Sequence, residues 1–211
     1  MKAALLPVVA EVAERPLVMV GCGILHKEVD FLLRKNGWKV ATQFLDSALH
    51  NYLDKLSNQL NAALEADESE GREVVVFYGS CHPLMERILQ QHHTVRTRGQ
   101  NCIVMLLGYD RFMADLARGA YFLLEDWALT WEPMITECFG NNPAVVREIF
   151  HSSHKLMIAI RTPCSGEFTA AAEAAARFVD LPLEWMDVDL AHLESVLADA
   201  IARKRQEPAR G

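Results

Sequence analysis

The sequence lacks the signatures of several common chemistries. No C-x-x-C pair occurs, which removes the zinc-ribbon and thioredoxin patterns. There is no P-loop, no G-x-S-x-G elbow and no H-E-x-x-H, so the matching phosphate cradles, hydrolases and metalloproteases are excluded. No uninterrupted apolar run approaches the roughly 20 residues of a spanning helix. Basic residues cluster only in the short RKRQ at 203–206. Neither a membrane nor nucleic acid is therefore an expected partner. The N-terminal MKAALLPVVAEVAERP is interrupted by Pro7, Glu11 and Glu14 and has no cleavage site after a long apolar core, so it does not read as a secretory signal. The expected location is the cytoplasm.

What is present suits a soluble domain. Of 211 residues, 51% are hydrophobic, enough for a substantial core. The formal charge of −7 is modest, and local groups can still favour an anionic substrate.

Apolar runs alternate with helical periodicity along the chain. PLVMVGCG (16–23), WKVATQFL (38–45), VVVFYGSC (74–81), AYFLLEDW (120–127), KLMIAIRT (155–162) and LEWMDVD (183–189) read as strands. HHTVRTRGQ is ambiguous and is read as a short strand plus loop. HKEVDFLLRKNG has Val29, Leu32 and Leu33 at helical spacing, with Gly37 just past its end. Asp46 or Ser47 can cap a helix whose stripe is Leu49, Leu53, Leu56, Leu60 and Leu64. DESEGRE reads as a loop, and Pro83 suits the first turn of PLMERILQQ. NCIVMLLGYDRFMADLARG is read as a helix capped by Asn101, in preference to a strand ending at Gly108. Helices are also expected over EPMITECFGNN, PAVVREIFHSS, PCSGEFTAAAEAAARFVD and LAHLESVLADAIARKR. The pattern predicts a single-domain layered α/β fold with a mostly parallel central sheet and helices on both faces. Its core spans 16–204, with an N-terminal extension over 1–15 and a frayed tail over 205–211.

Five cysteines at wide, irregular spacing suit thiols or metal ligands better than a disulfide framework. Cys22, Cys81 and Cys164 each follow a predicted strand, and parallel strands would carry them along one edge, where such sheets bind ligands. Cys102 would stand in the first turn of a helix capped by Asn101, where the helix dipole lowers a thiol pKa. Gly21, Gly23 and Gly79 permit close backbone approach around these sulfurs. Tyr78 can donate a hydrogen bond to a bound group or pack on the sheet edge. His82, His26 and Glu28 can ligate or shuttle a proton. Thiolates select zinc, or iron in a sulfur cluster, and three of them leave a position open. A free cysteine is also a small buried hydrophobe, the reading given to Cys138 and Cys164. His92 and His93 read as a solvated helix end. Arg96, Arg98 and Arg161 can hold a carboxylate or phosphate. GCGILHKE shares two glycines with the dinucleotide fingerprint but has His26 at the third position, so NAD is not expected.

GCGILHKE, FYGSC, NCIVMLLG and GAYFLLEDW, in this order, resemble the family catalogued as domain of unknown function 1638, from residue 17 to the last helix. That resemblance implies that Cys22, Cys81 and Cys102 are the functional cysteines. It also implies a setting near corrinoid-dependent methyltransferases, hence methyl transfer or one-carbon metabolism. Family members often carry His-Asp where this chain has Gln100-Asn101, which puts any role of that carboxylate in doubt here. The leading expectation is a zinc or iron–sulfur site on Cys22, Cys81 and Cys102, flanked by Gly21, Gly23, Tyr78, Gly79 and His82, taking a small-molecule or cofactor ligand. The alternatives are a non-catalytic accessory protein that binds a corrinoid or a partner methyltransferase, and a thiol redox protein.

Overall fold

The computed structural model describes residues 15–207. The N-terminal segment screened as a signal, up to residue 14, and residues 208–211 of the expected tail lie outside that range. Parallel strands and helices alternate, as the periodicity predicts, but the strands divide between two sheets.

The first sheet has β1 (Leu17–Cys22) at its centre, β2 (Val40–Leu45) on one side, and β3 (Glu73–Phe77) then β4 (Val95–Arg96) on the other. All its pairings are parallel. The second sheet has β6 (Leu156–Arg161) between β5 (Ala120–Leu123) and β7 (Leu183–Asp187), also parallel. Burial explains the sequence texture. Every residue of β1 is buried, and β6 is buried up to Arg161. Strands covered on both faces need continuous apolar runs, and LVMVGC and LMIAI supply them. The edge strand β2 alternates instead between half-buried and exposed residues.

Helices α1 (His26–Lys35), α2 (Leu53–Ser69) and α3 (Met85–Gln91) make the crossovers of the first sheet. Gly37 follows α1 with φ of 64°, the left-handed conformation expected of a residue just past a helix end. The α2 region differs from its sequence reading at both ends. Asp46 caps a separate 3-10 turn, Ser47–Asn51, by accepting from the Ala48 N–H, and α2 itself begins only at Leu53. At the other end α2 runs through the expected loop to Ser69, and buried Asp67 accepts from Arg72 Nε at 2.7 Å. Leu56, Leu60 and Leu64 are fully buried, whereas Leu53 faces outward. Pro83 lies in the turn ahead of α3 rather than in its first turn.

The Asn101-capped segment is helical but broken. α4 (Cys102–Leu107) and α5 (Tyr109–Ala117) are separated by Gly108, whose φ is 81°. Next come α6 (Glu125–Leu129), α7 (Trp131–Phe139) and α8 (Pro143–Ser153) between β5 and β6, with α9 (Thr169–Val179) between β6 and β7. The last helix, α10 (Ala191–Gln206), reaches two residues into the expected tail.

Helix α10 packs back on β3, β4 and α4 of the first sheet. The main core joins Val18, Val20 and Val76 to Phe122, Ile158 and Ile160 of the second sheet and to Leu193 and Leu197 of α10. Polar links reinforce the junction: Thr162 Oγ1 donates to buried Glu28 at 2.6 Å, and Lys27 pairs with Glu125 at 2.8 Å. Among the described residues no helix is long and apolar enough to cross a membrane.

Candidate functional site

The chain leaves β1 in one direction to build β2, then crosses back over β1 to build β3 and β4. Connections therefore diverge beyond the carboxyl ends of β1 and β3, the position where open parallel sheets place their ligands. Cys22 is the last residue of β1, and Cys81 lies four residues beyond β3.

The glycines make the approach of these loops possible. A Cβ on Gly21 would lie 2.5 Å from Phe77 Cβ and 2.7 Å from the Phe77 carbonyl oxygen, so only glycine lets β1 and β3 sit this close. A Cβ on Gly23 would meet the Leu45 carbonyl at 3.0 Å. Gly79 lies against backbone, since its Cβ would stand 2.7 Å from Asn101 N. Ser80 N–H donates to the Gln100 carbonyl at 2.8 Å, tying the loop that carries Cys81 to the entry of α4. Asn101 caps α4 by accepting from the Val104 N–H at 2.9 Å, as its sequence position predicts. Cys102 is thereby carried to the other two cysteines.

The three thiols sense one another. The Cys102 thiol, as a proton donor beside Cys22, lowers the Cys22 pKa against the opposing effect of burial; the Ile24 N–H assists. Cys102, as donor to Cys22 and buried, is held well above the usual thiol range. The dipole of α4 was expected to lower Cys102, and the neighbouring sulfur outweighs it. Burial pushes Cys81 up, opposed by the Gly79 N–H; nearby Cys22 raises it further and Arg96 lowers it. Tyr78 lies among all three: burial first, then the charges of Cys22, Cys81 and Cys102, push its phenol far above its usual range. Its hydroxyl is buried without a hydrogen-bond partner. Among the described residues, no group of three or more His, Cys, Asp or Glu side chains is gathered closely enough to hold a metal ion.

His82 is buried, and its Nδ1 accepts from the Leu84 N–H at 3.0 Å, which builds the turn into α3. His26 Nδ1 bonds the Gly23 carbonyl at 2.8 Å, and Glu28 is taken by Thr162. Cys164 follows β6 of the second sheet, where Glu28, Arg34 and Lys27 are its charged neighbours, and Cys138 is exposed on α7. Both stand apart from the trio. His92, read from sequence as solvated, is buried between Glu68 and Asn61, at 3.1 and 3.0 Å. The three arginines have protein acceptors: Arg96 bonds Glu86 and the Thr97 and Gly99 carbonyls, Arg98 pairs with Asp199, and Arg161 with Asp187.

A family model describing a protein of unknown function, DUF1638, matches residues 44–197 of the 211-residue chain. The chain belongs to the DUF1638 family. The matched span includes Cys81 and Cys102 and starts beyond Cys22, so within this DUF1638 protein the third thiol of the trio comes from a strand ahead of the family core. No curated protein and no solved structure matches the chain.

Two carboxylates of the DUF1638 site escaped the sequence reading. Asp46 and Asp126 both act on the charge of Cys22, and Ser47 Oγ donates to Asp126, joining the 3-10 turn to α6. Asp46 was discoverable: it follows β2 directly, and the strand-end rule applied to cysteines covers it as well. Asp126 was not, because it arrives from the second sheet. Three thiols beside two carboxylates cannot all ionise in a buried setting without an added positive charge.

Proposed function

We infer that Cys22, Cys81 and Cys102 close around a thiophilic centre, zinc or an iron–sulfur cluster, drawing together from their present spacing and leaving one position open to a small-molecule ligand. The observation that carries this reading is the convergence of three thiols that perturb one another at the switch point of a parallel sheet. The unpartnered Tyr78 hydroxyl among them adds support, because a buried donor without an acceptor is costly in a native protein. When bound, such a centre supplies Lewis-acid or thiolate-alkylating chemistry. Cys22, the most readily ionised of the three, is the first anchor. Tyr78 stays protonated and orients whatever occupies the open position by donating to it. Gly21, Gly23 and Gly79 hold the loops close.

The setting we infer is cytoplasmic one-carbon metabolism beside a corrinoid protein or its methyltransferase, a reading supported by the family resemblance and not by the geometry. Anaerobic purification followed by metal and sulfide analysis tests the site. Stoichiometric zinc or iron that disappears in Cys81→Ser is the expected result. A full chain that stays metal-free after anaerobic reconstitution with zinc and with iron and sulfide overturns it.

The pairing of the Cys22 and Cys102 thiols, each of which shifts the other's pKa, favours a second reading, a dithiol that closes to a disulfide. Two thiols would give up two electrons and two protons to an oxidised disulfide of small-thiol type. Thiol titration before and after exposure to such a disulfide separates the two: loss of two thiols from metal-free protein, restored by dithiothreitol, supports the redox role.

A further inference from the structure

A second cavity, of about 350 Å³, lies between the 3-10 turn Ser47–Asn51 and helices α6, α7 and α8. Its volume is within the range that takes a small ligand. The wall is aromatic: His50, Tyr121, Trp127, Phe139, Phe150 and His154 line it. Their rings brace one another, with His50 on Trp127 at 5.3 Å, Tyr121 on Phe150 at 5.2 Å and Tyr121 on His154 at 5.3 Å. No Asp, Glu, Lys or Arg side chain lines it.

Two polar atoms on this wall are buried and have no partner, Trp127 Nε1 and His154 Nδ1. The indole nitrogen is a donor only. Burial lowers the pKa of His154, which favours the neutral ring. A neutral imidazole nitrogen is a donor or an acceptor according to its tautomer, so Nδ1 can serve in either role. The wall thus carries one unmet donor and one unmet imidazole nitrogen on an aromatic, uncharged surface.

We propose that this cavity binds a small, uncharged, planar molecule that carries a hydrogen-bond acceptor and a second polar group, the chemistry of a fused nitrogen heterocycle or an aromatic amide. The rings supply stacking area, Trp127 Nε1–H meets the ligand's acceptor, and His154 Nδ1 meets its second polar group. A charged ligand of the same shape is disfavoured, because no opposite charge offsets its desolvation. The proposal stands apart from the thiol centre, since it needs no metal.

Metal-free full-length protein is titrated with indazole, and binding is followed by ligand-observed NMR. Saturable binding is expected, with benzoate and benzylamine at least about tenfold weaker. Trp127→Phe and His154→Phe keep a ring and remove the indole donor or the imidazole nitrogens, and each should weaken indazole about tenfold, the equivalent of one hydrogen bond. Ile149→Trp, on the half-open rim, fills the space and should abolish binding while the melting temperature stays near that of the parent, which keeps the test decisive should either wall variant fail to fold. Absence of saturation up to the solubility limit of indazole overturns the proposal. So does equal binding of the charged probes, or Ile149→Trp binding indazole as the parent does.

Discussion

Cys22 and Cys102 lie side by side, and proton donation from the Cys102 thiol, assisted by the Ile24 N–H, stabilises the Cys22 thiolate despite burial. Removing the donor should reverse the balance. In Cys102→Ala the pH midpoint for alkylation at Cys22 should rise, because burial and the Asp126 and Asp46 carboxylates then act with less opposition. Cys102→Ser keeps an O–H donor and should retain most of the depression. Iodoacetamide rates across pH, read by peptide mass spectrometry, check both. Gly79 makes a second test at this scale. A methyl group there runs into the Gln100–Asn101 backbone, so Gly79→Ala must push apart the loops carrying Cys81 and Cys102. A cost on the order of 1–3 kcal/mol is expected from such overpacking, measured by urea unfolding, together with loss of any bound metal.

Among the elements, α4 is the piece that completes the trio. It is six residues long, so its own hydrogen bonds do little to hold it and its anchors matter. Asn101 caps one end, and fully buried Met105 fastens it inward against Gly99 and Thr97. Asn101→Ala should cost about 1 kcal/mol for the lost cap, visible as a lower denaturation midpoint, and should also raise the Cys22 alkylation midpoint as Cys102 loses its fixed position. That second readout separates repositioning of Cys102 from a plain loss of stability. Elements of this kind were legible in the sequence wherever one residue carries the signal: the Asn101 cap, the buried runs of β1 and β6, and Gly37 after α1. The division into two sheets was not legible. Strand patterning reports which faces are buried, and β5 and β1 are both largely buried although they pair with different neighbours. The break at Gly108 was hidden because the helical period continues on both sides of it. Asp126 reaches Cys22 through tertiary packing alone, with no local mark on its sequence.

For the whole molecule, the buried ionisable groups determine where in pH the fold weakens. Cys81, Cys102, Tyr78 and Tyr121 all have pKa values raised in the native state, Tyr78 and Tyr121 chiefly by burial. Each is an acid that stays protonated when folded and ionises at its ordinary pKa when unfolded. Between those two values the unfolded chain binds fewer protons than the native one, so the free energy of unfolding falls as pH rises. Stability should therefore be retained near neutrality and decline on the alkaline side, first through the thiols and then, above a tyrosine's usual value of about 10, through the phenols. Each fully protected group contributes a slope of about 1.4 kcal/mol per pH unit in its window. Cys22, with a lowered pKa, acts in the opposite sense: its contribution is present above the ordinary thiol value and is lost as pH falls through its native one. Tyr78→Phe removes one alkaline contribution and one unpartnered hydroxyl together. Urea unfolding of the metal-free variant should match or exceed the parent's stability at pH 7, and its lead should widen above pH 10. A lead that stays constant from pH 7 to 11 would mean that the Tyr78 phenol ionises equally well folded and unfolded, and hence that it is not enclosed among the three thiols.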